Sequence, residues 1–192
     1  LNQYSDCAIV APVTSFSKDF YGAFPERNIK NLTLKNALKS RNLLLNSEIE
    51  NEICVDVAKW ALLIKVEEFK NINGFNEKLF IFWEEIDLCR RFRSQKLSVI
   101  VTPKSSVEHK QEKSSDSDFQ NFLIKTYYHE YSPLVYFNVQ TFSFFYLKRM
   151  MKYLFRGISY LMILNLKKSL IYFLRLIASI RYFVNLKFSS TK

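Results

Sequence analysis

Short apolar runs separated by polar stretches fill the first hundred residues of the chain. Three of these runs, residues 8–12, 61–64 and 97–101, have the length and composition of short strands. We expect the first two strands to be buried. Asn73 and Gly74, which lie between the last two runs, are typical residues of a turn.

Residues 84–95 are predicted to form a helix. Ile86, Cys89 and Phe92 recur every three residues, as on the buried face of a helix. The acidic residues occupy the first turn and the arginines follow, which suits the direction of the helix dipole. The carboxylates therefore lie where a loop enters a helix, at the edge of a site rather than in a core.

Two further helices are predicted at residues 142–164 and 166–184. In the first, placing residues about 100° apart separates a basic arc from an apolar arc. The basic arc holds Lys148, Arg149, Lys152 and Arg156, and the apolar arc holds Leu147, Met150, Met151, Leu154, Phe155, Ile158, Leu161 and Met162. The second helix is similar but less regular.

Charge is distributed unevenly along the chain. All 18 acidic residues lie within residues 1–130, whereas residues 131–192 contain ten Lys and Arg and no acid, so the net charge of +10 comes from the last third. This change marks a boundary near Glu130.

Basic amphipathic helices suit an anionic membrane surface. No charge-free apolar run reaches the ~20 residues of a membrane span, so we expect these helices to lie on the membrane. A helical hairpin packed on the protein itself, or an oligomer interface, is the alternative. The wide apolar faces and the absence of a recognised DNA or RNA motif argue against nucleic acid as a partner.

The three cysteines, Cys7, Cys54 and Cys89, are far apart and lack the spacing of a zinc site. Cys54 and Cys89 lie in apolar patterns, so we expect both to be buried free thiols.

An ordered set of residues between positions 56 and 109 resembles the C-terminal half of the catalytic domain of family 2 glycosyltransferases, the inverting GT-A enzymes that include rhamnosyltransferase-like proteins. The matching stretch covers a little over a quarter of the chain. It consists of Asp56, Trp60-Ala61, Lys65, Gly74-Phe75-Asn76-Glu77, Phe80, Phe82, Glu84-Glu85-Ile86-Asp87-Leu88, Arg91, Pro103 and His109.

The resemblance implies an α/β fold: a partial GT-A domain, the acceptor-side half, over residues 1–130, followed by a basic helical tail over residues 131–192. It implies transfer of a sugar, with inversion, from a nucleotide-sugar donor to a hydroxyl of a polysaccharide or lipid-linked acceptor in cell-surface glycan synthesis. The tail would hold the protein on the cytoplasmic face of the cell membrane.

The resemblance also implies roles for individual residues. Glu85 is the candidate base, because a carboxylate can take the acceptor's proton late in the reaction. Asp87 would orient the acceptor or a neighbouring basic group, and Glu84 is either catalytic or only a favourable residue at a helix start. The candidate substrate-binding residues are Asp56, Trp60, Trp83 and Arg91. His109 would assist a divalent cation, Mg²⁺ or Mn²⁺, or the diphosphate.

Three positions depart from the family pattern: Trp60 replaces a glycine, Glu85 an aspartate and Asn76 an aspartate. The Glu85 change moves the carboxylate outward by one methylene, and a misplacement on the order of 1 Å can cost about a hundredfold in rate.

No Gly-rich phosphate loop, Asp-x-Asp motif or strand-helix alternation is seen upstream of residue 8. We therefore expect this chain alone to be inactive and to supply the acceptor side of an enzyme. The alternative is a non-catalytic remnant that acts only as a membrane-surface or protein-interaction module.

Overall fold

The computed structural model describes residues 5–15, 23–24, 51–108, 118–140 and 143–189. Within these ranges the chain forms a mixed α/β structure that divides into two compact units. Unit 1 comprises the described parts of 1–77 and 83–114, and unit 2 comprises Lys78–Phe82 with the described parts of 115–192. The boundary expected after Glu130 falls inside a helix of unit 2.

Unit 1 is built on a small mixed sheet. Its described elements are β1 (Cys7–Ser15), β2 (Ala23–Phe24), β3 (Ile53–Cys54), β4 (Val57–Ala58), β5 (Leu63–Ile64), α1 (Val66–Asn71), α2 (Glu84–Ser94) and β6 (Ser98–Glu108). The strand order is β3-β6-β1-β5, with β1 parallel to β6 and the two outer strands antiparallel to their neighbours. The short strands β2 and β4 form a separate antiparallel pair.

The parallel pairing of β1 with β6 contains an irregularity. Pro12 lies opposite Thr102, but Val13 lies opposite Ser106, so β6 carries extra residues at this point. Proline cannot donate a ladder hydrogen bond, which is why strand prolines are found at such bulges.

The core of unit 1 forms where α2 packs on the sheet. Ile9 of β1, Val99 of β6, and Leu88, Cys89 and Phe92 of α2 are all fully buried. The predicted helix and its buried three-residue pattern at Cys89 and Phe92 are therefore confirmed, and Ile86 packs against the same core from its margin.

Two expectations about burial are wrong. The run at residues 61–64 is not a buried strand, because only Leu63 and Ile64 form β5, and Leu63 is 61% exposed. Cys54 is exposed rather than buried, and its sulfur accepts a hydrogen bond from Arg93 Nη1 at 3.1 Å. Both residues lie on outer strands of the sheet, where one side has no neighbouring strand to cover it.

Unit 2 contains the helices α3 (Phe119–Tyr136), α4 (Phe144–Met162) and α5 (Leu166–Ser189). The two predicted tail helices are confirmed in α4 and α5. Asp118 caps α3 by accepting a hydrogen bond from the backbone N–H of Asn121 at 2.6 Å. The turn between α4 and α5 places Leu164 at φ 57°, and Asn165 Oδ1 then accepts from the N–H of Lys168 at 3.2 Å.

A buried carboxylate joins the three helices. Glu130 of α3 is 2% exposed and accepts two hydrogen bonds from the guanidinium of Arg149, at 2.8 and 2.6 Å. Tyr153 Oη donates to it at 2.7 Å and Ser179 Oγ at 3.1 Å. We call these four residues the Glu130 network. Because every donor lies on α4 or α5, the network fixes how these helices pack on α3.

Within the described ranges, one stretch, Leu166–Leu186 of α5, is long and apolar enough to cross a membrane by length and composition alone, with a mean hydropathy of 1.3. Core helices of soluble proteins can pass the same criterion.

Candidate functional site

The start of α2 is approached through unusual backbone conformations. Trp83, the residue before the helix, has φ 72°, and Phe82 before it has φ 66°. Trp60 in the loop after β4 has φ 75°. Bulky residues rarely adopt this left-handed conformation, which costs roughly 1–3 kcal/mol at each position. Strain of this kind collects at functional sites, and at Trp60 it explains why a glycine would suit the position.

Glu85 is fixed against that strained loop. Its Oε1 accepts a hydrogen bond from the backbone N–H of Trp60 at 2.9 Å. The candidate base and a candidate substrate-binding residue, 25 positions apart, are therefore neighbours. Glu85 also lies in the first turn of α2, where the helix dipole favours a negative charge.

Glu84 and Lys59 complete a half-buried charged patch with Glu85. Burial raises the pKa of Glu84, and the nearby Glu85 carboxylate adds to this rise while Lys59 opposes it. Burial lowers the pKa of Lys59, and the two glutamates oppose that change. Glu84 Oε2 is buried and has no hydrogen-bond partner among the described residues. We call Lys59, Glu84 and Glu85 the charged patch.

Sequence reasoning missed Lys59. Its signal was a single cation between Ala58 and Trp60, next to an apolar run. A lone lysine in such a place is usually a surface residue, and only the fold brings it near carboxylates that lie about 25 positions away.

Asp56 lies beneath the surface of unit 1. It is fully buried, and its Oδ2 accepts a hydrogen bond from Arg90 Nη2 at 2.7 Å in an ion pair. Its Oδ1 has no hydrogen-bond partner within the described parts of the chain. The pair ties the segment before β4 to the inner side of α2, so in this conformation Asp56 positions the helix.

Asp87 and Arg91 form a second ion pair, one helical turn apart. Arg91 Nε donates to Asp87 Oδ2 at 2.7 Å. The same guanidinium donates to the carbonyl of Ile72 at 2.8 Å and to that of Gly74 at 2.7 Å. Arg91 therefore clamps the predicted turn at Asn73-Gly74 onto α2, and Asp87 orients Arg91. The neighbouring basic group of Asp87 is thus Arg91, and the functional role expected for Asp87 stays a prediction.

The predicted metal ligand, His109, lies outside the described residues. Among the residues that the structure describes, no group of three or more His, Cys, Asp or Glu is arranged to hold a metal ion. The acidic residues of α2 are instead directed to Trp60, Arg91 and Lys59. These described residues alone do not fit the expected divalent cation.

Cys89 is an inert component of the same helix. Burial raises the pKa of its thiol to about 12, although its hydrogen bond to the carbonyl of Ala58 acts in the opposite direction. Since the thiolate is the nucleophile, Cys89 has no covalent role at neutral pH.

Comparison with known families matches one family model to part of the chain. Residues 61–113 match the family model described as the N-terminal domain of galactosyltransferase. This match contains α1, the Asn73-Gly74 turn, the whole of α2 and β6, and His109. No curated protein and no solved structure gives a significant match to the chain. The chain therefore carries a glycosyltransferase-like domain, which indicates sugar transfer in general.

Proposed function

We propose that the acidic start of α2 supplies the base for transfer of a sugar, with inversion, from a nucleotide-sugar donor to an acceptor hydroxyl. One observation supports this proposal above all. Glu85 lies within the segment that matches a glycosyltransferase model, and its carboxylate is held at a helix start by the N–H of Trp60, the residue just before that segment. General base catalysis requires a carboxylate held in a fixed position, and backbone strain of the kind found here clusters at functional sites.

The proposed chemistry uses the two oxygens of Glu85 differently. Oε1 is fixed by Trp60, which leaves Oε2 as the proton acceptor. As the acceptor oxygen attacks the anomeric carbon, its proton passes to Oε2 and the bond from the sugar to the nucleoside diphosphate breaks. The hydrogen bond to Trp60 holds the carboxylate in one orientation, and misplacement on the order of 1 Å can cost about a hundredfold in rate.

The other two members of the charged patch, Lys59 and Glu84, have different proposed roles. The Lys59 ammonium provides a fixed positive group, the kind that can stabilise developing negative charge on a leaving diphosphate. Because burial raises the pKa of Glu84, Glu84 holds a proton more readily than an exposed glutamate does. The two adjacent glutamates thus differ in environment, which favours different roles for them.

The narrower assignments belong to the same proposal. We propose that the enzyme belongs to family 2, has the GT-A fold and is of the rhamnosyltransferase-like kind. It would act on a polysaccharide or lipid-linked acceptor in bacterial cell-surface glycan synthesis. The similarity of residues 56–109 to that family supports them. His109 is the only residue that the proposal assigns to a divalent cation, Mg²⁺ or Mn²⁺.

The test is a screen of nucleotide-sugars with the full-length protein, in which release of nucleoside diphosphate is measured with glycan and lipid-linked acceptors. Glu85→Gln removes the base with little change in volume, and we expect turnover to fall by about 10²–10⁴-fold while donor binding persists. The matched control is Glu67→Gln, which changes an exposed carboxylate in the first turn of α1 and should leave turnover unchanged.

Two results would contradict the proposal. Near-normal turnover of the Glu85 variant would remove Glu85 from the reaction. If the unmodified full-length protein neither turns over nor binds any nucleotide-sugar in saturation-transfer NMR, the non-catalytic alternative replaces sugar transfer as the function of this chain.

A further inference from the structure

Helix α4 packs into unit 2 by its polar side. The residues that face the other helices include Arg149, Tyr153 and Gly157. Tyr153 and Gly157 are buried, and Arg149 is held by Glu130. Gly157 lets α5 approach closely: its carbonyl accepts a hydrogen bond from Ser169 Oγ at 2.9 Å, and a Cβ at this position would lie 3.0 Å from the ring of Phe173. The protein therefore uses the glycine and polar side of α4 for its own packing.

The apolar side of α4 is directed outward instead. Seven of its large side chains are between 40% and 79% exposed, and the turn that follows α4 is also exposed. This surface, which we call the outer face, consists of Phe144, Leu147, Met151, Phe155, Ile158, Leu161 and Met162, continued by Ile163, Leu164 and Leu166. A soluble surface usually exposes apolar residues singly, and a contiguous set of this size marks an interaction site.

Positive charge lies beside the outer face. Lys148, Lys152 and Arg156 follow one another at four-residue spacing along its edge, and all three are exposed. Lys167 and Lys168 lie just after the exposed turn and are also exposed. No acidic residue occurs after Glu130, and that carboxylate is buried in its network.

The charge pattern indicates which partner binds the outer face. A second copy of the chain would bring the same row of cations against this one, and no acid on the outer face would compensate. A lipid surface with anionic headgroups satisfies both features: apolar side chains enter the headgroup boundary by about 5–10 Å while the lysines remain at the phosphates. The expected basic arc is corrected in one respect, because Arg149 faces inward and is engaged by Glu130.

We propose that the outer face docks on an anionic lipid bilayer, with α4 lying in the plane of the membrane surface. Helix α5 supports α4 from the protein side, since Ser169 Oγ donates to the carbonyl of Gly157 and Phe173 lies against that glycine. The inference is independent of the sugar-transfer proposal, because none of its residues belongs to the charged patch.

The experiment is flotation of the 192-residue chain with vesicles of phosphatidylcholine alone or mixed with phosphatidylglycerol. Measurements at about 0.01 M and 1 M salt compare Debye lengths of about 30 Å and 3 Å. We expect stronger binding to the mixed vesicles, and that preference should shrink at high salt. Release of the bound chain by alkaline carbonate would agree with a helix on the surface, whereas retention in the membrane would point to a crossing helix and overturn the proposal.

Two pairs of variants separate charge from burial. Lys148→Gln with Lys152→Gln should weaken binding to mixed vesicles by about 30-fold at low salt, from roughly 1 kcal/mol for each basic residue, and by much less at high salt. Its charge-matched control, Lys70→Gln with Lys96→Gln, changes two exposed lysines of unit 1. Phe155→Gln with Ile158→Gln should reduce binding at both salt concentrations. Its control is Leu63→Gln with Val66→Gln, which changes two apolar residues of unit 1 that are at least as exposed.

Circular dichroism and amide exchange in α4 check that the variants remain folded, which is expected because the altered side chains are exposed. The proposal is overturned if folded variants of the outer face bind vesicles as tightly as the parent chain and its controls. It is also overturned if sedimentation shows that the outer face joins copies of the chain and that its variants dissociate them without affecting vesicle binding.

Discussion

Replacing Glu130 by Gln tests the packing of unit 2 at the buried carboxylate that joins its three helices. The substitution keeps the size of the side chain but removes the charge that four donors share: two from Arg149, one from Tyr153 and one from Ser179. The amide oxygen of Gln can still accept, but its NH₂ group faces the N–H groups of Arg149. The guanidinium then lies in the helical unit without a counter-charge.

The expected cost follows from burial. Removing one partner of a buried ion pair typically costs about 3–5 kcal/mol, because the other charge stays buried and unpaired. The side chain of Glu130 is 2% exposed but that of Arg149 is 20% exposed, so water can solvate part of the remaining charge. We therefore expect a loss of about 3 kcal/mol, which is a large fraction of the ~5–15 kcal/mol that stabilises a typical domain.

The assay is urea unfolding combined with amide hydrogen exchange measured by mass spectrometry. Exchange resolves peptides from α3, α4 and α5 separately from those of unit 1, so a local loss in unit 2 is visible even if the two units unfold in separate steps. Glu67→Gln, at an exposed position in α1, is the control and should change neither measurement.

A second variant distinguishes a missing partner from simple loss of volume. In Glu130→Leu with Arg149→Met no charge is left buried, so the double variant should be more stable than Glu130→Gln. The reasoning is refuted if Glu130→Gln costs less than about 1 kcal/mol, or if the double variant is no more stable than the single one.

Two further changes have expected outcomes of their own. Gly157→Leu should destabilise α4 and α5 by about 1–3 kcal/mol through overpacking against Phe173, despite removing the helix penalty of glycine, which is about 1 kcal/mol; a higher melting temperature would contradict this. Because burial raises the pKa of Glu84 in the folded state, its ionisation penalty is present above that pKa and absent below the ordinary value. Glu84→Gln should therefore stabilise the protein at neutral pH, and the gain should vanish in urea titrations below about pH 4.5; an equal gain at all pH values would assign it to another cause.

Periodicity was sufficient to predict α2, α4 and α5. Each has a repeating apolar side and charges placed along the helix, and these signals are local. Helix α3 was missed because it is apolar or aromatic on several sides, contains Pro133 and offers no single apolar stripe. The exposure of Leu63 and Cys54 was missed for a different reason: strand position in the sheet, not composition, decides whether an apolar residue is covered.

In the candidate site, too, local features could be predicted from the sequence but tertiary contacts could not. The sequence pattern predicted Glu84, Glu85 and Asp87 in the first turn of a helix, and all three lie in the first turn of α2. Their partners could not be predicted, because Trp60 and Lys59 lie about 25 positions away and Arg90 binds a carboxylate 34 positions away. Hydrogen-bond partners distant in sequence depend on the tertiary arrangement, which a single sequence does not specify.

The left-handed backbone at Trp60 and Trp83 has an evolutionary consequence. Glycine would relieve roughly 1–3 kcal/mol at each position, so selection for stability alone would favour glycine at both. The two tryptophans therefore mark places where stability and another requirement compete. Relatives that carry glycine at both positions would keep the hydrogen bond from residue 60 to the carboxylate but lose the aromatic surface around it. Variation at these two positions would thus separate chains that keep aromatic side chains beside the carboxylate from chains that keep the less strained backbone.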